Sequence, residues 1–132
     1  ASMGMKVNMF FTFWGTSILR KETSDMAGKN IFAKMFDVML PNGSSKLGLS
    51  QMHMAGVGTA MMKKMMGDQK IASLEELIEM VTELEVNMQI CEMSMGLMGM
   101  KHSEMVCQDS SKICGVANYI ESASKSKITL FI

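Results

Sequence analysis

Three cysteines are the residues of this sequence best suited to covalent chemistry, and they stand at Cys91, Cys107 and Cys114. Cys91 opens the run Cys-Glu-Met-Ser, which resembles a Cys-x-x-Cys redox motif with Ser94 in place of the second cysteine. A thiolate is the nucleophile in sulfur exchange. The hydroxyl of Ser94 can donate a hydrogen bond to such a thiolate, but it cannot resolve a disulfide with it. The motif therefore indicates one nucleophilic thiol, at Cys91.

The position of Cys91 between two predicted elements supports this chemistry. Residues 86–91 are predicted to form a buried strand, and residues 92–100 a helical stretch. Ligands of open α/β sheets bind beyond the carboxyl ends of the strands, and the N–H groups at a helix start stabilise a thiolate. The carboxylate of Glu92 acts in the opposite sense, because it disfavours a second anion. The alternative is a buried, inert cysteine, and position and spacing leave both interpretations open.

Cys107 and Cys114 are weaker candidates. Either one is a resolving or relay thiol only if the fold brings it to Cys91, and Cys107 is the possible second thiol that we single out. We favour simple packing for Cys114, although it precedes Gly115 at a predicted helix start, where the pKa of a thiol also falls. An odd number of cysteines without a secretory pattern predicts free thiols in a reducing compartment, the cytoplasm.

Other kinds of site find no support in the residue spacing. The three cysteines with His53 and His102 lack the paired spacing of a zinc centre. Nucleophile-elbow and P-loop motifs are missing, and the densest group of acidic residues lies along one predicted helix at 73–84. Thirteen basic and thirteen acidic residues cancel without forming a basic stripe, which disfavours nucleic acid and membrane surfaces as partners. We therefore expect no metal, no cofactor, and no transmembrane helix.

Nineteen methionines are the unusual feature of the composition. Flexible apolar packing explains them, and so does an adaptable surface for a protein partner. A third interpretation is a thioether site for a soft metal such as Cu(I). The two densest clusters are Met52, Met54, Met61, Met62, Met65 and Met66, and then Met93, Met95, Met98 and Met100.

The pattern of apolar residues predicts the elements that position Cys91. Strands are expected at residues 6–13, buried on both faces, at 86–91 and at 128–132. A helix at 73–84 begins with a capping box of Ser73 and Glu76. Strands that alternate with helices imply an α/β fold with a mainly parallel sheet. Two other helices are predicted, at residues 50–66, ended by Gly67, and at 115–123. Short helical segments are expected near 16–20 and 103–106. Residues at about 22–50 form a poorly predictable insertion.

Four segments together resemble the DsrE/DsrF-like family, in its branch with a long insertion before the cysteine. They are residues 5–15 (MKVNMFFTFWG), 73–84, 86–99 (VNMQICEMSMGLMG) and 115–132 (GVANYIESASKSKITLFI). The segment 86–99 is the most specific, because Cys91, Ser94 and Gly99 match the family's pattern. The resemblance covers nearly the whole chain.

The resemblance implies a flavodoxin-like three-layer sandwich made of one domain, residues 1–132, and a homo-oligomer. It also implies a persulfide on Cys91, exchanged as a sulfur carrier or sulfurtransferase with TusA-like or rhodanese-like proteins. Members of this branch are also labelled peroxiredoxin-like or uncharacterised. Family members have a strand and a helix before the segment that matches residues 1–4, so we expect the natural protein to be longer.

For such a carrier, the pocket is expected to be lined by Trp14 and Gly15 at the end of the neighbouring strand. Ser94 would support the thiolate, and Glu92 and Met93 would lie beside it, with Met95 adding to an apolar wall. A non-catalytic binding module with a methionine-rich surface is the alternative function, and a Cu(I)-binding protein is another.

Overall fold

A computed structural model of the chain describes residues 1–22, 27–47, 57–106 and 111–132. In that part of the chain, the strands Asn8–Phe11 (β1), Asn87–Cys91 (β2) and Ser111–Cys114 (β3) form one parallel sheet in the order β1-β2-β3. The predicted α/β fold with a parallel sheet is confirmed. The α-helices are Ile31–Met39 (α1), Val57–Asp68 (α2), Leu74–Glu83 (α3), Glu92–Met98 (α4) and Val116–Ser124 (α5), and short 3₁₀ segments cover Phe13–Leu19, Ser44–Lys46 and His102–Glu104.

The two faces of the sheet can be told apart from the strand register. Phe11 of β1 pairs with Ile90 of β2, which pairs with Ile113 of β3, and all three pack in or against the main core. Side chains alternate along a strand, so Phe10 lies on the opposite face, where its ring is 5.3 Å from that of Tyr119 in α5. Helix α5 therefore packs on the face opposite the main core. The fully buried members of that core are Leu19, Leu40, Val86, Met88, Ile90, Met95, Met98, Met100 and Met105.

Helix α3 begins as its sequence predicts. The backbone N–H of Glu76 donates to the Ser73 hydroxyl over 3.2 Å, and the Ser73 N–H donates to the Glu76 carboxylate over 2.7 Å. This capping box satisfies two backbone donors that the helix itself leaves unpaired. Ile78 and Val81 pack against the core, whereas Leu77, expected on the same face, is largely exposed.

Gly99 ends α4 in the left-handed conformation, with φ of 67°. A Cβ at this position would stand 2.2 Å from the Cβ of Ala33 in α1, which is closer than two carbon atoms can approach. Only glycine therefore fits both the backbone conformation and the close contact between α4 and α1.

Several predicted boundaries are wrong. Strand β1 is shorter than residues 6–13, and it is not buried on both faces, because it lies at an edge of the described sheet with Asn8 and Met9 exposed. The predicted strand at 128–132 is not one; these residues have no sheet partner among those described, and Ile128 and Phe131 are exposed. An apolar run forms a strand only where another strand edge accepts its hydrogen bonds. Strand β3 was missed, because its four residues are too few for a periodic pattern.

The observed helix boundaries also differ from the predicted ones. Of the helix predicted at 50–66, residues 50–56 lie outside the described part, and α2 continues past Gly67 to Asp68. The apolar residues at 31–40 form helix α1, and the turns predicted near 16–20 and 103–106 are 3₁₀ segments. In the described residues, no helix is both long enough and apolar enough to cross a bilayer.

Four buried charges hold the connections around the sheet together. Lys29 bridges Asp37 at 2.9 Å and Glu104 at 2.6 Å, and Arg20 pairs with the same two carboxylates, with 3.1 Å to Glu104. None of the four side chains is more than 3% exposed. Two cations and two anions cancel, so this ion cluster joins the segment after β1, the insertion and the loop after α4 without a net buried charge.

Candidate functional site

Cys91 is the last residue of β2 and the N-cap residue of α4. It is 2% exposed, in a strand whose last four residues are all buried. The chain leaves the strand in an extended conformation, with φ of −70° and ψ of 110° at Cys91, and the helix starts at the next residue. This places the thiol among the first N–H groups of α4, at the carboxyl edge of the sheet.

Two hydroxyl groups lie beside this thiol. The oxygen atoms of Thr12 and Ser94 are 2.8 Å apart, and both hydroxyls lower the pKa of the Cys91 thiol. Each hydroxyl has one proton, so when one donates to the other, the second donates to the sulfur. The backbone N–H groups of Met93 and Ser94, in the first turn of α4, also lower the pKa of this thiol. The groups that act on the thiol are therefore neutral donors, from the residue after β1 and from α4.

These donors and the burial of the thiol act on its pKa in opposite senses. Burial raises the pKa of Cys91, because a thiolate loses its hydration. The Ser94 side chain and N–H, the Thr12 hydroxyl and the Met93 N–H act in the opposite sense, since they bind the anion, and the net result is a pKa below the usual value of a cysteine. A lowered pKa increases the thiolate fraction near neutral pH, which is the nucleophilic form.

The strand register explains how Thr12 reaches a residue far away in the sequence. Phe11 pairs with Ile90 across the two strands. The next residues along the chain, Thr12 and Cys91, therefore lie beside each other. Thr12 keeps the extended conformation, with φ of −135° and ψ of 157°, before the chain turns at Phe13 with φ of 45°. Thr12 is not among the site residues predicted from the sequence. The signal available was a hydroxyl residue at the carboxyl end of a predicted neighbouring strand.

The other predicted site residues take different positions. Ser94 is buried beside the thiol, whereas Glu92 is exposed and the side chain of Met93 is 73% exposed. Trp14 is 59% exposed, and Gly15 is half-buried at the start of the 3₁₀ segment. At this edge of the sheet, Thr12 is the residue whose hydroxyl contributes to lowering the pKa of Cys91. Met95, expected to form an apolar wall, is buried in the main core.

Cys114 stands directly beside Cys91, as its register partner at the end of β3. It is half-buried, and both thiols are free. Burial raises the pKa of Cys114, and the negative charges of Cys91 and Glu92 raise it further. Cys107, the second thiol that the sequence favoured, lies outside the described residues.

Two further features lie apart from the thiols. Among the described residues, no group of three or more His, Cys, Asp or Glu side chains has the arrangement of a metal site; His102 is exposed, and His53 lies outside the described part. A shallow surface depression lined by residues 37–42 and Lys46 includes none of the residues around Cys91.

Comparison with known proteins identifies the family of this chain. A model of the DsrE/DsrF/DrsH-like family matches residues 1–131. The chain is 39% identical over 132 residues to the uncharacterized protein YrkE of Bacillus subtilis (strain 168), covering 100% of this chain and 81% of that protein. It is 35% identical over 140 aligned residues to the sulfur carrier protein DsrE2 of Allochromatium vinosum, covering 100% of this chain and 82% of that protein. The chain belongs to the DsrE/DsrF/DrsH-like family.

Proposed function

We propose that this protein carries sulfur as a persulfide on Cys91 and passes it to the thiol of a partner protein. The observation that carries the proposal is a buried thiol beside neutral hydrogen-bond donors that lower its pKa. These donors are the hydroxyls of Ser94 and Thr12 and the first N–H groups of α4. The likeness to a sulfur carrier protein over the whole chain supports the same role.

The two steps of the cycle follow from thiolate chemistry. In loading, the Cys91 thiolate attacks the sulfane sulfur of a persulfide or polysulfide donor; one S–S bond forms and one breaks, and the donor leaves as a thiolate or as a shorter polysulfide, respectively. In delivery, a partner thiolate attacks the outer sulfur and Cys91 leaves. A thiol of lower pKa is the better leaving group, so the donors that lower the pKa of Cys91 favour release of the sulfur.

Neutral donors suit a group that changes its charge and its length. A persulfide moves the negative charge outward by one S–S bond, about 2.05 Å. Hydroxyls rotate to follow that charge, so Thr12 and Ser94 can serve both the thiolate and the persulfide. We place the exchange partners among TusA-like and rhodanese-like sulfur-transfer proteins, in a reducing compartment, with the chain acting as a homo-oligomer.

The test is intact-protein mass spectrometry after polysulfide treatment of the wild type and of Cys91→Ser, Cys107→Ser and Cys114→Ser. We expect a mass gain of sulfur atoms that dithiothreitol removes. In Cys91→Ser, this gain should be lost, or only a small fraction of the protein should gain sulfur on another thiol. Cys107→Ser is the matched control and should load like the wild type. No gain in the wild type, or equal gain on all three cysteines, would overturn the proposal.

A second candidate function rests on the methionines of α2. Met61, Met62 and Met65 are exposed on one helix, and flexible thioether side chains suit an adaptable protein-binding surface or a soft metal. Replacing these three with Leu tests both versions. Loss of Cu(I) binding or of partner capture in this variant, with full retention in Cys91→Ser, would favour the methionine surface over the thiol.

A further inference from the structure

Cys91 and Cys114 form a pair of thiols at the same edge of the sheet. They are register partners at the ends of β2 and β3, so their side chains lie on the same face. Neighbouring strands are separated by about 4.8 Å, which falls within the range of about 4.4–6.8 Å that Cα atoms span in a disulfide. The two thiols are therefore direct neighbours across β2 and β3.

The two thiols differ in their exposure to solvent. Cys91 is 2% exposed and enclosed by Thr12 and Ser94, whereas Cys114 is half-buried at the edge of the described sheet. A buried persulfide is well protected, but the thiol of a partner protein cannot reach it easily. The neighbouring thiol of Cys114 is nearer to the surface, just before helix α5.

We propose that Cys114 is the second sulfur-carrying thiol, which takes the outer sulfur from Cys91 and presents it to the acceptor. The inference rests on the proposed persulfide chemistry at Cys91 and adds a step to it. It also replaces Cys107 with Cys114 as the second thiol of this chain.

The step balances without an oxidant. Cys91–S–SH and the Cys114 thiolate become the Cys91 thiolate and Cys114–S–SH. The Cys114 thiolate attacks the outer sulfur, and the bond between that sulfur and Cys91 breaks. The lowered pKa of Cys91 makes it a good leaving group in this exchange. Attack on the inner sulfur is the competing reaction, and it would give a Cys91–Cys114 disulfide and hydrosulfide.

The experiment uses the full chain, loaded with one equivalent of polysulfide, in wild type, Cys114→Ser, Cys114→Ala and the control Cys107→Ser. Persulfides are trapped with iodoacetamide and located by peptide mass spectrometry, and delivery is followed with reduced glutathione as acceptor. We expect wild-type protein to carry persulfide on both Cys91 and Cys114. Both Cys114 variants should load Cys91 fully but deliver about tenfold more slowly, because the remaining thiol is buried, and Cys107→Ser should deliver at the wild-type rate.

The outcomes separate the two proposals. Full loading of Cys91 with unchanged delivery in both Cys114 variants would overturn the relay and leave Cys91 as the only carrier. Wild-type protein that releases sulfide and ends as a Cys91–Cys114 disulfide would also overturn the relay. Absence of persulfide from Cys91 in every variant would instead overturn the carrier function itself. Locating the persulfides in wild-type protein needs no substitution, so this measurement tests the relay even if a variant misfolds.

Discussion

Two buried polar regions of this molecule are built from the same two stretches of chain and stabilise charge in different ways. Both use the segment that follows β1 and the segment that follows β2. The ion cluster pairs Arg20 and Lys29 with Asp37 and Glu104, so formal charges cancel. Around Cys91, the hydrogen-bond donors are hydroxyls and backbone N–H groups, which have no formal charge.

The difference indicates what each region can do. Removing one member of a matched set of buried ions leaves an uncompensated charge, which is costly, so the ion cluster is suited to holding the fold in one arrangement. Neutral donors bind an anion but tolerate its absence, since a hydroxyl can turn to another acceptor. The thiol site can therefore pass between thiol, thiolate and persulfide while the ion cluster stays unchanged.

The largest expected effect is on the ion cluster. Arg20→Met leaves Lys29 as the one cation beside Asp37 and Glu104 in this cluster, and we expect a loss of about 3–5 kcal/mol in the free energy of unfolding. Urea denaturation measures it. Lys125→Met is the matched control, because the Lys125–Glu121 pair is well exposed and exposed pairs contribute little to stability. Equal losses in the two variants would contradict a structural role for the cluster.

Gly99→Ala is expected to disturb both regions at once. Its Cβ would stand 2.2 Å from the Cβ of Ala33, in a left-handed backbone conformation that alanine disfavours. We expect a loss of about 2–3 kcal/mol and faster alkylation of Cys91, because α4 must move away from α1. Gly96→Ala is the control, since a Cβ there meets nothing within 4 Å. Wild-type stability in Gly99→Ala would contradict the close contact.

Acid should weaken the ion cluster. Burial raises the pKa of Asp37, but hydrogen bonds and charge from Arg20 and Lys29 lower it to a net value below the ordinary one. The folded-state pKa is therefore below the unfolded one, so the contribution to stability is complete above the unfolded pKa of about 3.9 and disappears as pH falls through the folded pKa. Urea unfolding of wild type and Asp37→Asn should converge as pH falls below about 3.9 toward the folded pKa of Asp37; parallel pH profiles would contradict this assignment.

The smallest effect on stability, and a clear one on reactivity, is expected at the thiol site. Ser94→Ala removes the largest of the hydrogen-bond contributions that lower the pKa of Cys91, and Thr12→Val removes a smaller one. Alkylation of Cys91 by iodoacetamide near neutral pH should slow by about fivefold in Ser94→Ala, the equivalent of one hydrogen bond, and by less in Thr12→Val. The rate against pH should shift to higher pH. An unchanged profile in both variants would contradict the donor role.

Much of the fold could be predicted because its signals are local. The capping box of Ser73 and Glu76 needs only a spacing of three residues, and the buried run that ends at Cys91 needs only its own composition. The same signals could not separate core from surface. Met95 is 1% exposed and Met93 is 73% exposed, although the two differ by only two positions in a sequence of similar hydropathy.

The sequence by itself determined the alternation of strands and helices, and with it the position of Cys91 at a strand end, because hydrophobic periodicity is a property of neighbouring residues. The tertiary structure decided what surrounds that thiol. Thr12 and Ser94 are 82 positions apart and meet only because β1 and β2 pair in one register. Cys114 stands beside Cys91 through the register of β3. A shift of one residue in either pairing would turn those side chains to the other face of the sheet, and no local pattern records which register is chosen.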